Sequence, residues 1–460
     1  MLSGHTWGAN PLSMGAIPGN IDADQSPPLT VPLRHFLVGL GFLLAGAIVG
    51  VLGTIDAVSG NLSLAHAHLL LVGWVCVTIM GAMTQFVPVW SAVEVYSRRL
   101  AKTQLWIVVV GLVVFATALL VGAQQWLPVG GIIMLLGFWV FVYNIGRTLV
   151  SARPWDITER HFAIALGFFV LLTTLGVTLA IGFVSPVFRD LPVSHGSVRL
   201  AHGTLAIYGA VLTTIFGALY QLATMFTQSD LHGVDYSIQS LEEIGFPIGV
   251  VALAGGRLFE LGTVARLGGI LILASVLGFG VLLARRLYEA QAPWTPMLSR
   301  YVVVAATMVL WPLWSAVYWI RDPLDPATFF GAPGAVHLLA LGLIGFVVLG
   351  TLYHIIPFII WVHRYSDLLG LEDVPMIDDL YDDRLAAIDC TLLTVGLALI
   401  VVTDVVSLPT TVSLAGGGAV ISGLVVFTAN MVLVVRRHSP QPLLGILFDR
   451  FTVAKDGDTA

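Results

Sequence analysis

Residues 64–88 read LAHAHLLLVGWVCVTIMGAMTQFVP, an apolar run that carries His66 and His68 near one end and Gln85 and Pro88 near the other. A helix rising 1.5 Å per residue needs about twenty such residues to cross the ~30 Å hydrocarbon core of a bilayer. Inside that core no water is present to bond a free N–H or C=O, so a spanning segment is a helix or part of a closed barrel, and a run this long is a helix.

The same pattern returns twice. Helix 2 shows His66-Ala-His68, Gly73, then Gly81-Ala-Met-Thr-Gln85 and Pro88; helix 6 shows His202, Gly209, then Gly217-Ala-Leu-Tyr-Gln221. Helix 10 shows His337, Gly342, then Gly350-Thr-Leu-Tyr-His354 and Pro357. Aligned on the second glycines, His66 corresponds to His202, His68 to His337, and Gln85 and Gln221 to His354. Four apolar runs fill each interval. The expected fold is therefore an all-α integral membrane protein of about twelve transmembrane helices in three pseudo-repeated four-helix units.

Composition agrees with a membrane solvent. Of 460 residues 57% are apolar and only 10% charged, where a soluble chain carries roughly 25% charged residues. The apolar runs predict spans near 35–56, 64–90, 104–122, 127–150, 161–185, 198–227, 244–261, 266–284, 300–320, 333–362, 388–404 and 413–435. These make 1–34 a polar N-terminal arm, 35–435 the membrane domain and 436–460 a C-terminal tail.

Lys and Arg are retained on the cytoplasmic side of a membrane, and here they are distributed unevenly. One side holds only Arg189, Arg199, Arg257, Arg266 and Arg321 of the 21 basic residues, so both termini are expected in the cytoplasm and the protein in the plasma membrane. Helices 2, 6 and 10 then start at the outer face. The arm has no basic segment feeding an apolar one with a cleavage site, so it is not a signal peptide. The net charge of −6 lies in loops, notably Asp367, Glu372, Asp373, Asp378, Asp379, Asp382 and Asp383, which read as a solvated acidic stretch. Nothing in it suggests a nucleic-acid partner. Cys76 and Cys390 fall inside predicted helices and imply neither a disulfide nor a zinc framework.

Repeated glycines alone could reflect close helix packing. Packing does not explain a histidine at matching depth on three corresponding helices, because polar side chains are costly there and usually face the bundle interior. A neutral imidazole gives one nitrogen to a metal while a neighbouring acceptor holds the other, and two imidazoles from facing helices can clamp a haem. His66 and His68 project about 200° apart and cannot both face one partner. His337 and His354 lie roughly 25 Å apart along their helix and cannot share a site.

Twelve helices in three repeated units, with outer-end histidines on helices 2 and 10, resemble subunit I of the haem-copper oxidase superfamily, which includes cytochrome oxidases and nitric oxide reductases. Leu64 to His68, Gly81 and Phe86-Val-Pro88 look like that family's low-spin haem segment, and His337 to Pro357 is similar to its helix 10. The His-Ala-His and glycine pattern is also similar to the NnrS family, twelve-helix haem and copper proteins linked to nitric oxide metabolism.

The resemblance implies a low-spin, bis-histidine haem b between His66 and His337, with His68 in place of His66 if the alignment moves by two. Arg199, one turn before His202, is the candidate haem-propionate partner, with an ordinary interfacial arginine as its other reading. The chain also departs from the family. Ala335 stands where helix 10 should carry a second histidine, residues 244–261 lack the helix 7 histidine pair, and the arginine pair between helices 11 and 12 is missing. The usual dinuclear centre is thus expected to be lost. An oxidoreductase of terminal oxidase or nitric oxide reductase type would need a relocated second metal, copper for instance, on His68, His202 and Tyr208.

The resemblance implies respiratory electron transfer or the handling of O2 or nitric oxide, with membrane lipid, haem and a cytochrome, cupredoxin or subunit partner. The competing expectation is a transporter that reuses the fold without haem, since repeats and midplane polar groups also mark carriers. Arg257 and Glu260, three apart on helix 7, are expected to form a local ion pair.

Overall fold

The computed structural model describes residues 27–55, 60–406 and 408–448. Among these, twelve helices are long and apolar enough to span a membrane. They are α1 Thr30–Thr54, α2 Leu62–Ser91, α3 Arg98–Val121, α4 Gln124–Ser151, α5 Ile157–Gly182 and α6 His195–Thr227. The second half comprises α7 Asp235–Leu258, α8 Gly262–Tyr288, α9 Pro296–Arg321, α10 Leu338–Arg364, α11 Asp383–Val405 and α12 Thr410–His438. A short α13, Leu443–Phe448, packs on α1, where Arg34 Nε donates to the Ile446 carbonyl at 2.6 Å.

Several helices extend past their apolar runs because capping groups satisfy the first free N–H donors. Ser97 caps α3 through Leu100 N, so α3 starts at Arg98 and not near 104. Asp382 caps α11 through Arg384 N and Leu385 N, moving its start from 388 to Asp383. The polar turns from Asp235 extend α7 back from 244. In contrast, α10 starts after 333, because Gly331 and Gly334 take positive φ values of +112° and +81° in the turn before it. Helix α1 takes in the last residues of the expected arm, and α12 the first of the expected tail; residues 1–26 and 449–460 lie outside the described residues. The acidic stretch is more than a solvated loop. Besides the Asp382 cap, Asp379 accepts from Met376 N and Asp378 from the Tyr381 hydroxyl, and burial pushes the Asp378 carboxyl above its usual pKa.

Helices α2, α6 and α10 form the centre. Their apolar windows are 78%, 83% and 94% buried, against at most 56% for any other span. Among the described residues, the large exposed apolar side chains of the spans, such as Val110, Leu136, Leu171 and Ile248, come from the outer helices, as a lipid-facing belt requires.

The three-unit repeat extends to atomic contacts. Glycines bring the last two helices of each unit together: a Cβ on Gly111 would meet Gly130 O, one on Gly249 would meet Gly268 O, and one on Gly396 would meet Gly416 O, each at 2.9 Å. Only glycine permits backbones this close. Asn144 of α4 bonds both the N–H and the C=O of Ser97, at 3.0 and 3.2 Å, and Asn430 of α12 does the same to Asp382, at 3.1 and 2.9 Å.

Candidate functional site

Each central helix contains an eight-residue π-helical segment: Leu69–Cys76 in α2, Leu205–Leu212 in α6 and Leu338–Gly345 in α10. Their starts are 136 and 133 residues apart, the spacing of the glycine repeat. A π turn widens the helix and gives up regular hydrogen bonding, which is tolerated mainly where it positions functional groups. His68 and His337 immediately precede their segments, and His66 and His202 lie three residues ahead of theirs. Between α2 and α10 the Trp74 ring reaches across, to 3.6 Å from a Cβ placed on Gly345.

Every one of these imidazoles is anchored through Nδ1. His66 Nδ1 meets the Gly46 carbonyl of α1 at 2.8 Å, and His202 Nδ1 meets the Leu172 carbonyl of α5 at 2.9 Å. Equivalent positions of units one and two thus use equivalent acceptors. Close glycines make room: a Cβ on Gly50 would lie 2.5 Å from His66 Nδ1, and one on Gly176 would lie 3.0 Å from His202 Cε1. His68 Nδ1 bonds Leu64 O at 2.9 Å, and its ring packs on Phe115 of α3. His337 Nδ1 bonds Asp404 Oδ2 of α11 at 2.7 Å.

With Nδ1 committed as a donor, each ring presents the lone pair of Nε2, the arrangement seen when a histidine serves as a metal ligand held by a neighbouring acceptor. Among the described residues no hydrogen bond uses Nε2 of these four histidines. They fall into two pairs: His66 lies within electrostatic reach of His337, and His68 within reach of His202. All four are partly buried. No group of three or more His, Cys, Asp and Glu side chains converges on one point among the described residues. Each pair therefore supplies two imidazoles, enough for a planar cofactor taking one ligand on each face and short of the four ligands of a tetrahedral ion.

The other singled-out residues lie elsewhere. Arg199 is exposed at the start of α6 and makes no hydrogen bond or ion pair among the described residues. The expected Arg257–Glu260 pair does not form. Arg257 is fully buried and bonds Thr204 Oγ1 at 2.7 Å, Pro323 O at 3.0 Å and Phe329 O at 3.1 Å, tying α6 and α7 to the α9–α10 connection. These carbonyls take the guanidinium that an acid was expected to hold, and Glu260 ends up exposed in the turn after α7. Tyr208 packs on Trp311 and Trp319, and its hydroxyl is not bonded to His68 or His202. His354 lies seventeen residues beyond His337, between Phe226 and Phe358. Sequence reading missed the pairing of Asp404 with His337. An acid near the end of an apolar run gave the only signal, and it reads equally well as a helix terminus.

No family model matches the chain. A comparison with curated proteins finds subunit CcoN1 of a cbb3-type cytochrome c oxidase from Stutzerimonas stutzeri. The likeness is to an oxidase subunit. It is 25% identical over 190 residues, covering 34% of this chain and 40% of that protein. The chain thus matches less than half the length of this relative. Distant similarity to a cytochrome oxidase subunit and twelve membrane-type helices are what fold and comparison provide together.

Proposed function

We propose that the protein binds a low-spin haem b in the membrane between His66 and His337 and serves in electron transfer or in the handling of O2 or nitric oxide. The observation that carries this reading is the anchored pair itself. His66 and His337 stand on two central helices within electrostatic reach of each other, with Nδ1 held by Gly46 O and Asp404 and Nε2 of each left to a ligand. The pairing of His68 with His202 supports His66 over His68 as the axial ligand.

A haem held in this way supplies one-electron chemistry. The chain's own residues do the rest. Asp404 accepts from His337 Nδ1 and so would hold the ring in the orientation a ligand needs, as Gly46 O would for His66. His68 and His202 are the candidate ligands of a second metal such as copper, and Arg199, exposed near the start of α6, is the candidate partner of a propionate. In this reading the usual dinuclear centre is lost, supported by Ala335 and by the absence of histidine from Asp235–Leu258. Electrons would come from a cytochrome, a cupredoxin or a partner subunit. The bias of basic residues to one set of loops supports cytoplasmic termini and histidine pairs near the outer face of the plasma membrane.

The test is haem content after purification of two variants. His337→Ala should lose haem and His354→Ala should keep it; equal haem in both would remove the ligand assignment. A carrier that reuses the fold would purify without haem from the wild type as well.

A further inference from the structure

At the end of the bundle opposite the histidine pairs, three equivalent sets of buried positions carry three different chemistries. On α1, α5 and α9 they are His35, His161 and Arg300. Each faces a glycine of the next helix, with a Cβ on Gly81, Gly217 or Gly350 meeting their Cβ atoms at 2.6, 2.6 and 3.2 Å. On α3, α7 and α11 the residues are Gln104, Glu242 and Asp389; on α2, α6 and α10 they are Thr84, Tyr220 and Tyr353.

Unit three holds a fixed ion pair. Arg300 Nη2 donates to Asp389, whose other oxygen accepts from the Tyr353 hydroxyl, and a guanidinium does not give up its proton. Unit one holds no acid at these positions: His35 Nε2 and both carboxamide atoms of Gln104 are buried without a hydrogen-bond partner among the described residues. The fold thus accepts at this place either a permanent charge pair or none, so packing alone does not require what unit two contains.

In unit two, His161 Nδ1 donates to Ile157 O at 2.7 Å. Nε2 of the same ring lies 3.1 and 3.2 Å from the two oxygens of Glu242, and the Tyr220 hydroxyl donates to Glu242 Oε2 at 2.8 Å. With Nδ1–H committed, a bare Nε2 would turn its lone pair on a carboxylate. The contact is a hydrogen bond only with a proton between the two groups, on nitrogen as imidazolium or on oxygen as carboxylic acid. We propose that His161, Glu242 and Tyr220 form a proton-binding site that exchanges one proton with the aqueous layer beside the α4–α5 and α6–α7 connections.

The surroundings suit both states. Binding takes the triad from a charge of −1 to neutral and moves no electrons. Arg286 of α8 lies within electrostatic reach of the Tyr220 phenol. Arg286 bonds Thr224 Oγ1 and Ser229 O, and keeps a buried Nη1 without a partner. The Arg160–Glu243 ion pair at 2.5 Å lies one residue along from His161 and Glu242 and is partly exposed, so the two helices meet water within one residue of the triad. The remaining nearby charges are engaged, Glu159 with Ser91 and the Asp156 backbone, and Arg285 with Asp235 and Glu289. This inference does not depend on the cofactor assignment.

Infrared difference spectroscopy of the full chain in nanodiscs, titrated across roughly pH 5 to 8 in H2O and D2O, tests it. The wild type should show a coupled carboxyl–imidazole signal that Glu242→Gln removes and Asp389→Asn leaves in place. His161→Arg, a copy of the unit-three arrangement, should fold and hold Glu242 as a carboxylate at every pH. If Glu242→Gln does not fold, the double variant His161→Arg, Glu242→Asp takes its place. A wild-type spectrum without a titrating carboxyl signal overturns the proposal, as does a signal that persists in His161→Arg.

Discussion

Nδ1 of His337 lies 2.7 Å from Oδ2 of Asp404, joining the residue before α10 to the last turn of α11. Both side chains are partly exposed, at 40% and 27%, so the bond orders two groups that water could otherwise separate. It commits Nδ1 of His337 and leaves Nε2 without a hydrogen bond among the described residues.

Removing that anchor should loosen the cofactor without unfolding the helix. Asp404→Ala is expected to weaken haem retention about 10- to 100-fold, the usual effect of deleting a carboxylate behind a ligating histidine. Asp404→Asn, which keeps an acceptor, should fall between. The rate of haem transfer to a scavenging apoprotein measures both.

The two histidines of the His-Ala-His motif should separate cleanly. His66→Ala is expected to abolish the b-type spectrum, whereas His68→Ala keeps it and loses any copper bound with His202. Absorbance and total metal on the same samples decide; identical losses in the two variants would contradict the pairing.

Gly50 gives an indirect route to the same site. An added methyl there would fall 2.5 Å from His66 Nδ1, whereas Gly41 on the same helix has nothing within 4 Å. Gly50→Ala should therefore lower haem content by displacing the ring, with Gly41→Ala unchanged. Detergent thermal-shift curves confirm that both variants fold.

The buried Arg300–Asp389 pair should behave as a structural lock. Asp389→Ala leaves an uncompensated buried charge and is expected to cost about 3–5 kcal/mol, while replacing both residues by Met and Leu should recover most of it. Thermal unfolding in detergent compares the three proteins.

The fold was legible in the sequence because the bilayer makes a single demand, long apolar helices with bonded backbones, and residues 64–88 meet it in a pattern that repeats. The helix ends were less legible. Ser97 and Asp382 carry α3 and α11 past their apolar runs through caps that hydropathy does not register. At the candidate site His66, His68, His202 and His337 stood out because imidazoles are rare at that depth. Their anchors did not, since Gly46 O and Leu172 O are backbone atoms, and carbonyl acceptors leave no trace in composition. The π-helical segments were hidden for a related reason: LLLVGWVC and LLALGLIG would serve equally well as α-helix, and tertiary packing selects the wider turn. Arg257 was misassigned to Glu260 because spacing along one helix says nothing of carbonyls arriving from the α9–α10 connection.

The central claim is a haem held by His66 and His337, and its most direct test is an optical spectrum of the detergent-purified protein, oxidised and then reduced with dithionite, with iron and copper measured on the same sample. Stoichiometric haem with the sharp reduced α-band of a six-coordinate b-type centre is the predicted result. A colourless, monodisperse protein without iron would contradict it.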